Sequence, residues 1–210
     1  MKEIVSGHFK EAHQFGIDIS SKEFSVSIDQ DADVSIVSAF PLEDEGPQVL
    51  KALGMATIAT KKGGTVILVT GVRGGFPEAF LQTFDIAYQM SKGDSKKLVL
   101  EYLREGKFII ENAPIDFNAA LDYTLLYLNL VNVIIVSKDV SVNEAARLGF
   151  RHADSLDQAI KTVHESVPQA NVNIFPAGGL TNPVLKKDYS GVLNLLDFPP
   201  HGTIEQRRIS

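Results

Sequence analysis

The sequence predicts an α/β fold: a Rossmann-like, mainly parallel sheet with helices on both faces. Three observations predict it. Short apolar runs rich in β-branched residues recur along the 210 residues, bounded by turn residues, in the pattern of buried strands. Amphipathic stretches of helical period lie between them. Strand and helix alternate from one end to the other, and that alternation builds a sheet of mostly parallel strands. A chain of this length buries about 70% of its unfolded surface and needs no covalent staple.

The elements follow in order. Lys2–Val5 reads as a short strand and Phe9–Ile19 as a helix with Phe9, Ala12, Phe15 and Gly16 on one side. Glu23–Asp29 alternates, with Phe24, Val26 and Ile28 on one face, as a half-exposed strand at a sheet edge does. Asp33–Ala39 is a buried strand, broken by the acidic turn Phe40–Pro47. A helix over Pro47–Lys61 follows. Pro47 sits in its first turn, where a missing N–H costs nothing, and Glu43, Asp44 and Glu45 lie near its positive end. Gly63-Gly64 is the expected left-handed cap. Thr65–Gly71 is a second buried strand, completing a right-handed βαβ unit. Helices are expected over Pro77–Gln89, Lys92–Glu105 (closed by Gly106) and Ile115–Leu130, with a strand at Lys107–Ile110. Asn132–Ser137 is a buried strand. Val142–Leu148 is a short helix ended by Gly149, and Ser155 caps a helix over Leu156–Val167. Val172–Pro176 is the last strand, and beyond Lys186 the pattern fades. The expected organisation is one domain over residues 1–185 and a carboxy-terminal arm or tail over 186–210.

Composition excludes several functions. There is no cysteine, hence no disulfide, thiolate metal site or thiol nucleophile. A formal charge of −6 argues against nucleic-acid binding, which wants a basic face. The opening MKEIVSGHFK lacks the apolar core of a signal peptide, and no apolar run approaches the ~20 residues that span a bilayer, so a cytoplasmic protein without membrane partners is expected. No phosphate-loop, complete G-x-G-x-x-G or G-x-S-x-G motif occurs. His8, His13, His152, His164 and His201 form no metal-binding spacing, and no metal site is expected in this chain.

Ligands of such sheets bind beyond the carboxyl ends of the strands. Three candidates lie there. Arg73-Gly74-Gly75 follows the second strand; its backbone either approaches an anion or cofactor, or simply turns tightly into the next helix. Gly178-Gly179 after the last strand raises the same question. Gln48 and Lys51, three apart at a helix start, could give a carboxylate an amide bond and a charge-assisted bond; the same spacing also fits a solvated helix surface.

Ile36–Leu53 (IVSAFPLEDEGPQVLKAL) followed by Lys61–Phe76 (KKGGTVILVTGVRGGF) resembles the carboxy-terminal domain of the nickel-dependent lactate racemase family. Val5–Ile19, Arg147–Ile160 and Val172–Leu185 fit the same resemblance, which spans about residues 1–185. The family comprises two-domain isomerases that racemise or epimerise 2-hydroxy acids between their domains. The resemblance implies a nickel-pincer nucleotide cofactor that takes and returns a hydride. Its tethering lysine, histidine ligand and general-base histidines belong to the amino-terminal domain, which this chain does not resemble. It therefore implies that an amino-terminal catalytic domain, in the same or a separate chain, is a partner and that a small-molecule carboxylate is the substrate. It implies no catalytic residue here and no cofactor on this chain alone. A family glutamine and a lysine three residues on, both facing substrate, match Gln48 and Lys51. Pro47 stands where the family has tyrosine, glycines before Phe40-Pro41 are missing, and a glycine-glycine-histidine-lysine stretch has no counterpart near Asp116–Ala120. These departures imply a substrate other than lactate, or lost activity. The alternative reading is a non-catalytic small-anion-binding or assembly module of the same fold.

Overall fold

The computed structural model describes residues 4–29 and 31–185. Its centre is a five-stranded, wholly parallel sheet: β2 (Ala32–Ser38), β3 (Thr60–Val69), β4 (Asn132–Val136), β5 (Arg151–Ala153) and β6 (Val172–Phe175), in spatial order β5-β4-β3-β2-β6. The chain starts at β2, steps outward to β5, then returns to place β6 on the other side of β2. That reversal opens a crevice beyond the carboxyl ends of β2 and β6, where doubly wound sheets bind ligands.

Period-two alternation divides the sheet's side chains between two cores. On one face Val37, Val66, Leu68, Val133 and Ile135 pack with helices α2 (Leu50–Ile58), α3 (Glu78–Ser91), α4 (Ser95–Glu105) and α5 (Ile115–Leu128). On the other, Val34, Ile67, Ile134, Val136 and Ala153 pack with Ala159 and Val163 of α7 (Leu156–Ser166). The short helix α6 (Val142–Arg147) begins with a full capping box between Ser141 and Glu144. Outside the main sheet, α1 (Phe9–Phe24) leads into β1 (Ser25–Ile28), which pairs in parallel with β7 (Asn182–Leu185).

Several boundaries differ from the sequence reading, each for a local reason. The helix expected over Pro47–Lys61 opens as a 3-10 turn, Gly46–Val49, and ends at Ile58. It stops early because Thr60 already pairs with Ala32, while its hydroxyl donates back to the Ala56 carbonyl. Gly63-Gly64 is therefore no helix cap. It lies in a bulge of β3 that lets the register jump from Ala32↔Thr60 to Val34↔Thr65. Gly63 sits at φ 81, and a Cβ at Gly64 would meet the Asp33 carbonyl at 2.7 Å. The helix expected from Lys92 starts at Ser95, because Asp94 accepts the Lys97 N–H and caps it there. Lys107–Ile110 is no strand: the Asn118 side chain takes up both backbone groups of Ile110. Ile4 and Val5 are not in a strand; Lys2 and Glu3, like the expected tail 186–210, lie outside the described residues. The first helix runs on to Phe24, shortening the strand after it. Two strands went unexpected, β5 and β7.

Candidate functional site

A large cavity among the described residues, about 730 Å³, lies where the topology puts a ligand. One wall is the start of α2, with Leu50, Lys51, Gly54 and Met55, which follows β2. A second is the turn after β6, Gly178 to Asn182. Tyr123 and Tyr127 of α5 form a third, and α1 closes the side with His13, Ile17 and Phe24 among others.

Each wall has a local cause. The turn after β6 is tied to the end of β2 by hydrogen bonds from the Gly178 N–H to the Ser38 carbonyl (2.9 Å) and from the Gly179 N–H to the Phe40 carbonyl (3.0 Å). Only glycine fits at Gly178, since a Cβ would collide with Val37 Cγ2 and come within 2.7 Å of the Ser38 carbonyl. Gly54 makes room in the same way for the Tyr127 hydroxyl, which would lie 2.8 Å from a Cβ there. Tyr123 and Tyr127, four apart on one helical face, put their rings 5.7 Å apart. Burial raises both phenols, further in Tyr123 by the neighbouring Tyr127, so both remain protonated donors. Neither hydroxyl meets a hydrogen-bond partner among the described residues, nor does the Lys51 ammonium.

The residues singled out in the sequence fall in three places. Lys51, Gly178 and Gly179 line the cavity. Gln48 is on the preceding 3-10 turn, half-buried, and is not among the lining residues. Arg73, Gly74 and Gly75 lie elsewhere, in the turn after β3. Arg73 is 83% exposed and pairs with Asp44 at 3.3 Å. The Gly75 turn already faces an anion, the carboxylate of Glu144. Its Oε1 accepts the Phe76 N–H at 3.0 Å and takes the space a Cβ at Gly75 would need. The other oxygen, Oε2, accepts the Ser141 N–H and hydroxyl at 2.8 and 2.6 Å. Burial pushes this carboxyl up, but the hydrogen bonds from Ser141 and Phe76, with Arg147 nearby, hold it below the usual range.

Reading along the sequence missed His13, Met55, Tyr123 and Tyr127. The tyrosines carried one signal, their four-residue spacing on a helix. Nothing local placed them opposite Lys51.

No family model matches the chain. It is 26% identical over 176 residues to the lactate racemase of Lactiplantibacillus plantarum, covering 82% of this chain and 39% of that protein. Its fold matches the lactate racemase apoprotein of Thermoanaerobacterium thermosaccharolyticum with a TM-score of 0.68 at 23% identity, over 86% of this chain and 42% of that one. A Thermotoga maritima protein solved by structural genomics matches with a TM-score of 0.50 at 16% identity, over 85% of this chain and 43% of that one. The chain thus spans about two-fifths of the length of these relatives. The resemblance to lactate racemase and the α/β fold read from the sequence both hold.

Proposed function

We propose that this chain is the substrate-side, carboxy-terminal half of a lactate racemase-like, nickel-pincer nucleotide-dependent 2-hydroxy-acid racemase or epimerase. It works with an amino-terminal catalytic domain, in the same or a separate chain. The observation that carries the reading is Lys51: an ammonium without an ion-pair partner among the described residues, on the rim of a large cavity at the sheet's reversal point. A carboxylate entering there takes a charge-assisted hydrogen bond from Lys51. Gln48, one 3-10 turn earlier, is the second proposed substrate contact, reached once the other domain closes the cleft.

The described residues offer no ligand set for a nickel centre. Among those described, no group of three or more His, Asp or Glu side chains could hold a metal ion. The part left to this chain is to bind the carboxylate, orient the hydroxyl-bearing carbon and exclude water from one side. Gly178 and Gly179 let the backbone close on that space; Arg73, Gly74 and Gly75 stand apart from it. Among the described residues no helix is long and apolar enough to cross a membrane.

The test is stereo-inversion of 2-hydroxy acids by this chain assembled with an amino-terminal domain of the lactate racemase kind. Turnover that needs both halves and falls in Lys51→Ala and Gln48→Ala supports the reading. Full activity in both folded variants overturns it.

A further inference from the structure

The cavity is much larger than a three-carbon acid needs. Its volume of about 730 Å³ lies within the range of pockets that enclose drug-sized ligands, roughly 300–1,000 Å³. Its chemistry is uneven. Lys51 sits at one end of the α2 wall, and no carboxylate among the described residues lines the space. One helical turn further along α2, Gly54 and Met55 share that face, and the Tyr127 hydroxyl lies over Gly54. Beyond them the surfaces are mostly apolar and aromatic, with the rings of Tyr123 and Tyr127 on one side and Ile17 and Phe24 of α1 on the other; the uncharged polar Ser20 and Ser21 and the imidazole of His13 share the α1 wall. A ligand that fills this space carries its charge at one end and a large apolar body at the other.

We propose that the cavity selects 2-hydroxy acids bearing an aromatic or comparably bulky apolar substituent, with Tyr123 and Tyr127 as the specificity-determining pair. The proposal rests on the reading of Lys51 as the carboxylate's partner. In it the Tyr127 hydroxyl, which has no protein partner among the described residues, donates to the acid's polar end beside Lys51. The two rings, 5.7 Å apart and tilted by 40°, receive the substituent. Phe24 and Ile17 close over it. Because α1 buries none of its own residues, it can shift to admit ligands of different bulk without opening the core.

The experiment titrates the 210-residue chain with lactate, 3-phenyllactate and 3-phenyl-1-propanol, followed by calorimetry or amide chemical shifts. Phenyllactate is expected to bind at least ten times more tightly than lactate, and the alcohol, lacking the carboxylate, more weakly than phenyllactate. Ser20→Phe fills the cavity from an exposed position on α1 that no core contact depends on. It should bring the phenyllactate-to-lactate ratio to about one while the melting temperature stays put. Tyr127→Phe keeps the ring and loses the donor, so both acids should weaken by about tenfold. Equal affinity for the two acids in the wild type overturns the proposal, and so does a ratio that Ser20→Phe leaves unchanged. Failure of either acid to bind also overturns it. Stereo-inversion in the assembled protein, with Lys51→Ala as its control, still decides the reading of Lys51 separately.

Discussion

Two glycine-rich turns close parallel strands of this sheet, one after β3 (residues 71–76) and one after β6 (residues 176–181), and the sequence gives them the same signal. In the turn after β3, the chain supplies its own anion. The Glu144 carboxylate accepts the Phe76 N–H, the Ser137 hydroxyl holds the Gly71 carbonyl, and Arg73 turns outward to Asp44. Buried Val72 sits there at φ 48, a conformation costly for a β-branched residue and held by hydrogen bonds through its N–H to Glu43 and its carbonyl to Gly75. In the turn after β6, the glycines make close contact with the end of β2, and their far side opens on the cavity that Lys51 borders. What a glycine turn can bind is decided by what stands across from it. A carboxylate from α6 closes the first, and nothing from the described residues fills the second.

The largest effect should come from Gly178→Ala. The added methyl meets the Ser38 backbone and Val37 in a packed core, neither of which can move cheaply. A loss of about 3 kcal/mol is expected in urea unfolding, at the top of the usual overpacking range. A stable, normally binding variant would mean that this turn is as loose as an ordinary surface loop.

Lys51→Ala separates function from stability. Losing a charge-assisted bond costs about 1.5–3 kcal/mol, or roughly ten- to a hundredfold in substrate affinity. Folding stability should change by less than about 0.5 kcal/mol, because Lys51 is exposed. Paired measurements of KM in the assembled protein and of the thermal melt read the two effects apart.

Glu144→Gln tests the turn after β3. It keeps the shape and removes the charge, and should cost about 1 kcal/mol at neutral pH without touching carboxylate binding. The pH dependence has a definite sign. The folded carboxyl lies below its ordinary value of 4.5, so its contribution is present above that pH and drains away as the pH falls through and below it. Wild type should therefore lose its advantage over the glutamine variant in acid, as denaturation midpoints at pH 7 and pH 3 would show. A gap that grows in acid would break the assignment of Glu144 as the turn's anion.

Arg73→Ala should do least. Its pair with Asp44 is exposed on both sides, and such pairs contribute about 0–1 kcal/mol. Unchanged turnover and melt keep the turn after β3 out of the site. A large loss of turnover would put it back.

Much of this protein was legible locally. Asp33–Ala39, Thr65–Gly71 and Asn132–Ser137 announce strands by β-branched apolar runs, and Ser155 announces its helix because its hydroxyl accepts the Gln158 N–H three residues on. Such signals act over a few residues, through backbone sterics and period, so a sequence carries them openly. β5 was missed because three residues are too short to show a period, and β7 because it exists only through its partner: Ser25 pairs with Asn182, 157 residues away. The candidate site divides along the same line. Lys51 at a helix start beyond a strand end could be read from the sequence. The facing of Tyr123 and Tyr127 toward Lys51, the placing of α1 across the cavity and the capture of the Gly75 turn by Glu144 were decided by strand order and helix packing. Those contacts join segments far apart in the chain, and their energy exists only once the sheet has brought the segments together.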